Sequence, residues 1–359
     1  MISNNLTLTL KAENCSDTEP RPENSDWTTI AAVPGLVSII IPTFNRIALL
    51  TELLASICAQ SWQEIEIIVV DDGSVDNTNE QLKNWSPTGA GRSFSLFPQT
   101  NAGPAAARNA GIRKSRGEFV YFIDSDDLIY PHAISTLVQS LQNSEDHYCL
   151  ANIQTVHIQS GSTDIIYGEI VRPQLGEPLE SSWMTHAALY RRSAIAAGGV
   201  FNETLEIAED IEFQWRVSQV NGNGGKIEST IGVRRQHPFG HLSVGRSQTS
   251  LNRHLLQALM SFHDWAVAND RMTSTLRRHL LRRFLAAGIK LGSSGAWQHK
   301  NQAFSMFAEI SKTSNIWTKI LIYSGSLNAR AYFKLLVIMV KLTKLLKAVK
   351  GRWIPLSNS

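Results

Sequence analysis

Residues 118–127 read Glu118-Phe-Val-Tyr-Phe-Ile-Asp-Ser-Asp-Asp127, an apolar, aromatic-rich run that ends in three carboxylates. The run predicts a buried strand, because it is short, apolar and preceded by the turn signal Arg116-Gly117. Acids that follow such a strand repel one another and lose hydration, and a divalent cation with oxygen ligands would relieve that cost. The other interpretation of residues 124–127 is a solvated acidic turn that caps the next helix.

Apolar runs alternate with segments of helical spacing through the N-terminal half. We predict strands at 37–41, 65–70, 93–97 and 119–123, and helices over 47–57, over 105–115 and from Pro131 onwards. This alternation indicates a parallel, doubly wound sheet, in which ligands bind beyond the carboxyl ends of the strands. Residues 42–45, 71–74 and 124–127 are polar and follow three of these strands. We therefore expect them to converge on one crevice.

Polarity and the periodicity of apolar residues divide the chain into three parts. Residues 1–35 are polar and lack periodicity, which predicts a flexible N-terminal extension. Residues 36–245 hold the alternating strands and helices, with shorter strands and Gly-rich loops after residue 144. Residues 246–359 are predicted to be a mainly helical region.

Composition narrows the class of protein. The 359 residues are 43% hydrophobic and carry a formal net charge of +3, which is too small to indicate nucleic-acid binding. Cys15, Cys58 and Cys149 are widely spaced, as in proteins of a reducing compartment. Neither a secretory leader nor an apolar run of about 20 residues is evident, so a cytoplasmic location is expected.

Nucleotide binding would have to rely on side chains. No Gly-x-Gly-x-x-Gly follows the first strand, and the sequence contains no P-loop. Asp72 could accept hydrogen bonds from a base or a ribose, Phe44 could pack on a base, and Arg108 could face a diphosphate. The alternative for residues 71–74 is an ordinary turn, which Asp and Gly both favour.

Four segments together resemble the inverting family 2 glycosyltransferases. They are Val37-Ser-Ile-Ile-Ile-Pro-Thr-Phe-Asn-Arg46, Val69-Val-Asp-Asp-Gly-Ser74, Asn101-Ala-Gly-Pro-Ala-Ala-Ala-Arg-Asn-Ala-Gly111 and Phe122-Ile-Asp-Ser-Asp-Asp127. The resemblance, over roughly residues 37–240, implies an α/β fold of the GT-A type, a Rossmann-like mixed sheet flanked by helices. Residues 36–143 would be its nucleotide-sugar-binding half and 144–245 its acceptor-binding half.

The resemblance also implies an activity. The donor would be a nucleotide sugar, usually a UDP-sugar in this family, and the acceptor a glycan or a lipid-linked glycan. Mn²⁺ or Mg²⁺ would be the cofactor, and cell-surface polysaccharide or glycolipid synthesis the pathway. The chain lacks the Gln-x-x-Arg-Trp motif of the processive synthases, which argues against processive polymer synthesis.

Roles for single residues follow from the same resemblance. Nucleotide-sugar contacts are assigned to Pro42, Phe44, Asn45, Asp72, Arg108 and Asp124. Metal contacts are assigned to Asp126, Asp127 and His237, with His241 as the second choice for the histidine.

Ala208-Glu209-Asp210 matches the Glu-Asp motif of this family. Inverting transfer needs one base opposite the leaving group, and the resemblance makes Asp210 that base, with Glu209 orienting it or binding the acceptor. A carboxylate at a helix N-terminus is stabilised, so we expect the pKa of Asp210 to be depressed. The alternative role for this pair is that of a helix cap.

Two other functions compete with sugar transfer. A nucleotidyltransferase that makes the sugar nucleotide would share the sheet and the metal, but it usually has a basic Gly-rich loop that is missing here. A catalytically inactive domain that binds nucleotides or glycans is disfavoured by the presence of both Asp126 and Asp210.

Residues 331–353 form a basic amphipathic pattern. Leucines and a valine recur at helical spacing, four lysines lie off that stripe, and Trp353 follows. Such a helix can lie in a membrane interface, which would place the enzyme peripherally on the inner membrane face. Equally, it can pack on the helices of its own chain.

Overall fold

The computed structural model describes residues 27–29, 31–158, 165–173, 179, 183–220, 224–236 and 246–311. The chain divides into two compact units, Met1–Val244 and Gly245–Ser359. The sheet belongs to the first unit and a group of three helices to the second. His237, His241 and the segment 331–353 lie outside the described residues.

Nine strands of one mixed sheet are described. They are β1 (Val33–Thr43), β2 (Ile65–Asp71), β3 (Arg92–Pro98), β4 (Gly117–Phe122), β5 (Leu128–Ile129), β6 (Tyr148–Ile158), β7 (Ile165–Val171), β8 (Ala188–Arg191) and β9 (Gly224–Gln236). Their order is β3-β2-β1-β4-β8-β6-β9-β5, and β7 pairs with β6. The first four neighbours are parallel and β8 is antiparallel to β4, so the mixed sheet expected from the sequence is confirmed.

Nine helices are described. They are α1 (Ile47–Cys58), α2 (Thr78–Leu82), α3 (Pro104–Lys114), α4 (Ala133–Gln142), α5 (Arg192–Gly198), α6 (Glu209–Val220), α7 (Gln248–Ala268), α8 (Ser274–Ser293) and α9 (Trp297–Ser311). None of these described helices is long and apolar enough to cross a membrane.

The core of the first unit lies along β1, β2 and β4. Every residue of β2 is buried, as are residues 36–43 of β1. Strands that are covered by helices on both faces read as continuous apolar runs, which is why these segments were evident in the sequence. Gly111 of α3 packs on β1 so closely that a Cβ there would overlap the Ile40 side chain.

Two boundaries differ from those that the sequence predicts. β1 begins at Val33, inside the stretch 1–35, and Trp27 is buried, with its carbonyl accepting a hydrogen bond from Arg192 Nη2 at 2.7 Å. The helix expected from Pro131 begins at Ala133, because the turn before it is closed by the Ala133 N–H donating to the Tyr130 carbonyl at 2.9 Å. The first difference reflects a tertiary contact and the second a local turn, and both lie at the ends of elements, where sequence signals are weakest.

Candidate functional site

Two loops at the carboxyl ends of β1 and β2 are joined to each other through Asn45. Its backbone lies in the left-handed region (φ 52°), where Asn is well tolerated. The Asn45 N–H donates to Ser74 Oγ and the Val75 N–H donates to Asn45 Oδ1, both at 2.8 Å. Phe44 is 45% exposed at this edge, whereas Pro42 is buried within β1 beside Val70. The residues predicted to line the base pocket therefore lie at the same edge of the sheet, but they differ in exposure to solvent.

Asp72 organises the loop in front of α3. Its Oδ1 accepts hydrogen bonds from the Ala102 N–H and from Gln99 Nε2, and its Oδ2 accepts one from the Gly103 N–H, at 2.8, 2.8 and 2.9 Å. Asp72 is 5% exposed. The carboxylate thus fixes the path of residues 99–103, and contact with a base stays a prediction.

Arg108 of α3 is buried and joins acids from two distant parts of the chain. Its Nη2 donates to Asp124 Oδ1 and its Nη1 donates to Glu209 Oε1, each at 2.8 Å. Burial alone would lower the pKa of Arg108, but the Asp124 and Glu209 carboxylates raise it, so the guanidinium stays charged. The same contact holds the pKa of Asp124 below its usual value, against the effect of burial. One guanidinium thereby links the acidic cluster after β4 to the start of α6.

The three acids after β4 are close enough to share a cation. Asp124, Asp126 and Asp127 each offer a carboxylate oxygen, and these atoms lie within 4.8 Å of one another. Arg46 Nη1 sits 2.9 Å from Asp126 Oδ2 and balances part of the charge. Clustered carboxylate oxygens beside a substrate crevice are the ligands that Mg²⁺ and Mn²⁺ prefer. The donor set therefore fits a divalent cation.

Asp127 contacts two residues outside the acidic cluster. His186 Nδ1 lies 3.0 Å from Asp127 Oδ2, and the Arg235 N–H donates to Asp127 Oδ1 at 3.0 Å. Arg235 also donates through Nε to the Asp126 carbonyl. All three acids therefore have protein partners, with Arg108 at Asp124, Arg46 at Asp126, and His186 and Arg235 at Asp127.

Sequence reasoning missed three of these residues. Arg46 closes the first motif and Arg235 stands two positions before His237, so proximity to motif residues was an available signal for both. His186 carried none, because a single histidine ahead of a short strand is usually structural. It is almost completely buried, just before β8.

Glu209 and Asp210 begin α6. Ala208 precedes them in a left-handed conformation (φ 66°), which turns the chain into the helix. Burial raises the pKa of Asp210 to about 7, the Glu209 carboxylate adds to the rise, and Arg108 opposes it. The depressed pKa expected from the helix terminus is therefore wrong, because desolvation and the neighbouring acid outweigh the helix dipole. A carboxyl group with a pKa near neutrality is suited to accept a proton.

The approach to α6 is fixed by two polar side chains. Asn109 of α3 donates through Nδ2 to the Phe201 carbonyl and accepts through Oδ1 from the Phe201 N–H, each at 2.9 Å. Arg216 of α6 pairs with Glu212 at 2.8 Å and donates to the carbonyls of Gly199 and Val200 at 3.0 and 2.8 Å. These bonds hold residues 199–201 between α3 and α6.

Comparisons with known proteins agree on one family. A family model described as Glycosyl transferase family 2 matches residues 38–198. An uncharacterized glycosyltransferase of Rickettsia felis is 28% identical over 238 residues, which are 64% of this chain and 38% of the relative. The GalNAc(5)-diNAcBac-PP-undecaprenol beta-1,3-glucosyltransferase of Campylobacter jejuni is 37% identical over 111 residues, 31% of this chain and 36% of the relative. The matches span less than half the length of these curated relatives.

The fold has a counterpart among solved structures. The crystal structure of S. aureus TarS 1–349 in complex with UDP-GlcNAc covers 77% of this chain and 89% of its own, with a TM-score of 0.52 and 19% sequence identity. This similarity concerns the fold, a GT-A type mixed sheet flanked by helices.

Proposed function

We propose that this chain is a family 2 glycosyltransferase that transfers a hexose with inversion from a nucleoside diphosphate sugar to an acceptor hydroxyl. The observation that carries this proposal is the opposite tuning of Asp124, which pairs with Arg108, and of Asp210, which directly follows the other acid that Arg108 holds. The pKa of Asp124 is lowered, and that of Asp210 is raised to about 7. Such a separation distinguishes a permanently charged ligand from a proton acceptor.

The reaction is a single displacement. The acceptor oxygen forms a bond to the anomeric carbon while the Asp210 carboxylate takes the hydroxyl proton. The bond between that carbon and the diphosphate oxygen breaks, and its electron pair leaves with the nucleoside diphosphate. Attack from the face opposite the leaving group inverts the anomeric configuration. Glu209, which is held by Arg108 at 2.8 Å, positions Asp210 or the acceptor.

Asp124, Asp126 and Asp127 would hold the divalent cation. A bound Mn²⁺ or Mg²⁺ acts as a Lewis acid that stabilises charge on the leaving diphosphate. His186 and Arg235 orient the Asp127 carboxylate. We assign the remaining protein ligand to His237.

The donor side is assigned to the edge formed by the β1 and β2 loops. Phe44 packs on the base, Pro42 and Asn45 shape the pocket, and Asp72 with Arg108 complete it. TarS was crystallised with UDP-GlcNAc, and the Campylobacter relative is named for a glucosyl transfer to a polyprenyl diphosphate glycan. Those names suggest UDP-glucose and UDP-GlcNAc as first donors, and undecaprenyl diphosphate-linked glycans as first acceptors.

A donor screen tests the proposal. The protein is incubated with Mn²⁺ and a panel of sugar nucleotides, with and without an extracted glycolipid pool, and both nucleoside diphosphate and pyrophosphate are measured. We expect nucleoside diphosphate, with more released when the pool is present. Pyrophosphate would instead indicate nucleotidyl transfer, and release of neither product would indicate a binding domain.

A lipid-linked acceptor would bring the enzyme to a membrane surface. The basic amphipathic segment 331–353 is assigned as a contact with the inner face of the cytoplasmic membrane. Co-sedimentation with anionic vesicles at low and high salt, comparing the full chain with one ended at residue 328, tests this assignment. Equal partitioning of both chains would leave the segment no role in membrane contact.

A further inference from the structure

Two rows of residues run along one face of α8. Arg278, Arg282, Ala286 and Lys290 form the first row, and all four are exposed. Leu281, Leu285 and Ile289 form the second row, and these are half-buried. Positions four apart lie side by side along a helix, so the two rows adjoin over a length of about 18 Å. We refer to these seven residues as the α8 face.

The positive charges of the α8 face lack counter-charges among the residues that the structure describes. Arg278, Arg282 and Lys290 form no ion pair or hydrogen bond through their side chains with any residue in the described part of the chain. The sequence of α8 contains no Asp or Glu at all. A solvent-exposed helix face usually carries acidic and basic residues interspersed with each other. The α8 face instead presents one sign of charge beside an apolar row.

The C-terminal unit as a whole has the same excess of positive charge. Residues 245–359 contain 18 of the 34 Lys and Arg residues but only three of the 31 Asp and Glu residues. The preceding 244 residues carry the remaining acids and are therefore net negative. The net charge of +3 for the chain is therefore the sum of a negative N-terminal unit and a positive C-terminal unit. An anionic surface would attract the C-terminal unit and repel the other.

We propose that the α8 face lies against an anionic lipid leaflet. Arginine and lysine heads would reach the phosphates while their aliphatic stems and the leucine row contact the acyl boundary, as interfacial helices do. Nucleic acid would match the charge but not the apolar row, and the α8 face has no aromatic side chain on which a base could stack. The site is distinct from the sugar-transfer residues and from the segment 331–353.

Vesicle binding of the full chain tests this assignment. The test variant carries Arg278→Gln, Arg282→Gln and Lys290→Gln. The matched control carries Lys83→Gln, Arg113→Gln and Arg172→Gln, which removes the same charge from exposed positions of the N-terminal unit. Gln is a good helix former, so α8 should remain folded, and circular dichroism checks this.

Sedimentation is measured with vesicles of phosphatidylglycerol and phosphatidylcholine, at low and high salt and without donor. Each basic residue at an anionic surface contributes about fivefold in affinity, so we expect the α8 variant to lose at least about tenfold at low salt. The control should bind like wild type, and the difference should shrink at high salt. Since no sugar is transferred in this assay, its outcome is independent of the proposed activity.

Two results would overturn the inference. If the α8 variant and the control bind anionic vesicles equally, the α8 face is a solvated surface. If the α8 variant keeps vesicle binding but loses affinity for single-stranded RNA, the face serves nucleic acid.

Discussion

At Asp210, burial and the helix terminus act on one carboxyl group in opposite directions, and burial prevails. Its pKa is about 7, and only the ionised form can accept the acceptor proton. We therefore expect kcat to rise with pH through about 7 and to level off above it, when it is measured by nucleoside diphosphate release. A rate that stays flat from acidic pH through neutrality would argue against Asp210 as the base.

The same shift makes a prediction about stability. The pKa of Asp210 is raised from 3.8 to about 7 on folding, so its contribution is fully present below pH 3.8 and is lost as the pH rises through 7. Above pH 7 the folded state must hold a half-buried charge beside Glu209, and Asp210→Asn removes that charge. We expect the Tm of the variant, relative to wild type, to be higher at pH 8.5 than at pH 5. Asp270→Asn, at an exposed position, controls for the loss of one negative charge.

Arg46 opposes cation binding at Asp126. Its guanidinium lies 2.9 Å from Asp126 Oδ2, and a cation at this carboxylate would experience like-charge repulsion. Arg46→Gln should therefore bind Mn²⁺ more tightly than wild type in a calorimetric titration, whereas Arg46→Lys should stay close to wild type and Asp126→Ala should bind weakly. Equal Mn²⁺ affinity in wild type, Arg46→Gln and Asp126→Ala would place the cation elsewhere.

Sequence signals located most of the donor-side residues but not what holds them. Asp72, Asp124 and Asp126 stand directly after apolar strands, so their shared edge was predictable. The contact between His186 and Asp127 joins residues 59 positions apart, and no local pattern encodes it. The direction of the Asp210 pKa also depended on burial, which the helix-terminus argument left out.

At the scale of secondary-structure elements, the most deeply buried strands were the ones that the sequence located best. β1, β2 and β4 are mostly apolar and were located to within a few residues. Between residues 144 and 240 the expectation of shorter strands is wrong for β6 and β9, which have 11 and 13 residues, and β8 runs antiparallel beside β4. The pairing of these strands depends on contacts between residues distant in sequence. The sequence therefore indicated only that the pattern of apolar runs changes after residue 144.

The contact between α3 and β1 allows a test of packing. Gly to Ala in a helix usually stabilises by up to about 1 kcal/mol, but a Cβ at Gly111 would overlap Ile40. We expect Gly111→Ala to lower the free energy of unfolding by about 1–3 kcal/mol, the usual cost of overpacking. Denaturant unfolding measures this.

Ile40→Ala supplies the control, because it opens the space that the new methyl group needs. In the double-mutant cycle, Gly111→Ala should cost less in the Ile40→Ala background than in wild type. Additive effects would mean that the two side chains do not meet.

At the scale of the whole molecule, chemistry and charge are divided between the two units. The described candidate site residues, from Pro42 to Arg235, all lie in the N-terminal unit, where the family similarity also lies. The C-terminal unit carries the excess of basic residues. Because the family motifs all lie in the N-terminal unit, they indicated the reaction but did not identify the acceptor.

The central claim is that Asp210 is the base in sugar transfer from a nucleotide sugar. The most direct measurement compares nucleoside diphosphate release by wild type and Asp210→Asn at pH 8, with the donor found by screening and the glycolipid pool as acceptor. Donor affinity is determined for both proteins in parallel. We predict release that is slower by about 10²-fold or more in the variant, with unchanged donor affinity. Equal release by the two proteins, or a parallel loss of donor binding and turnover, would contradict the claim.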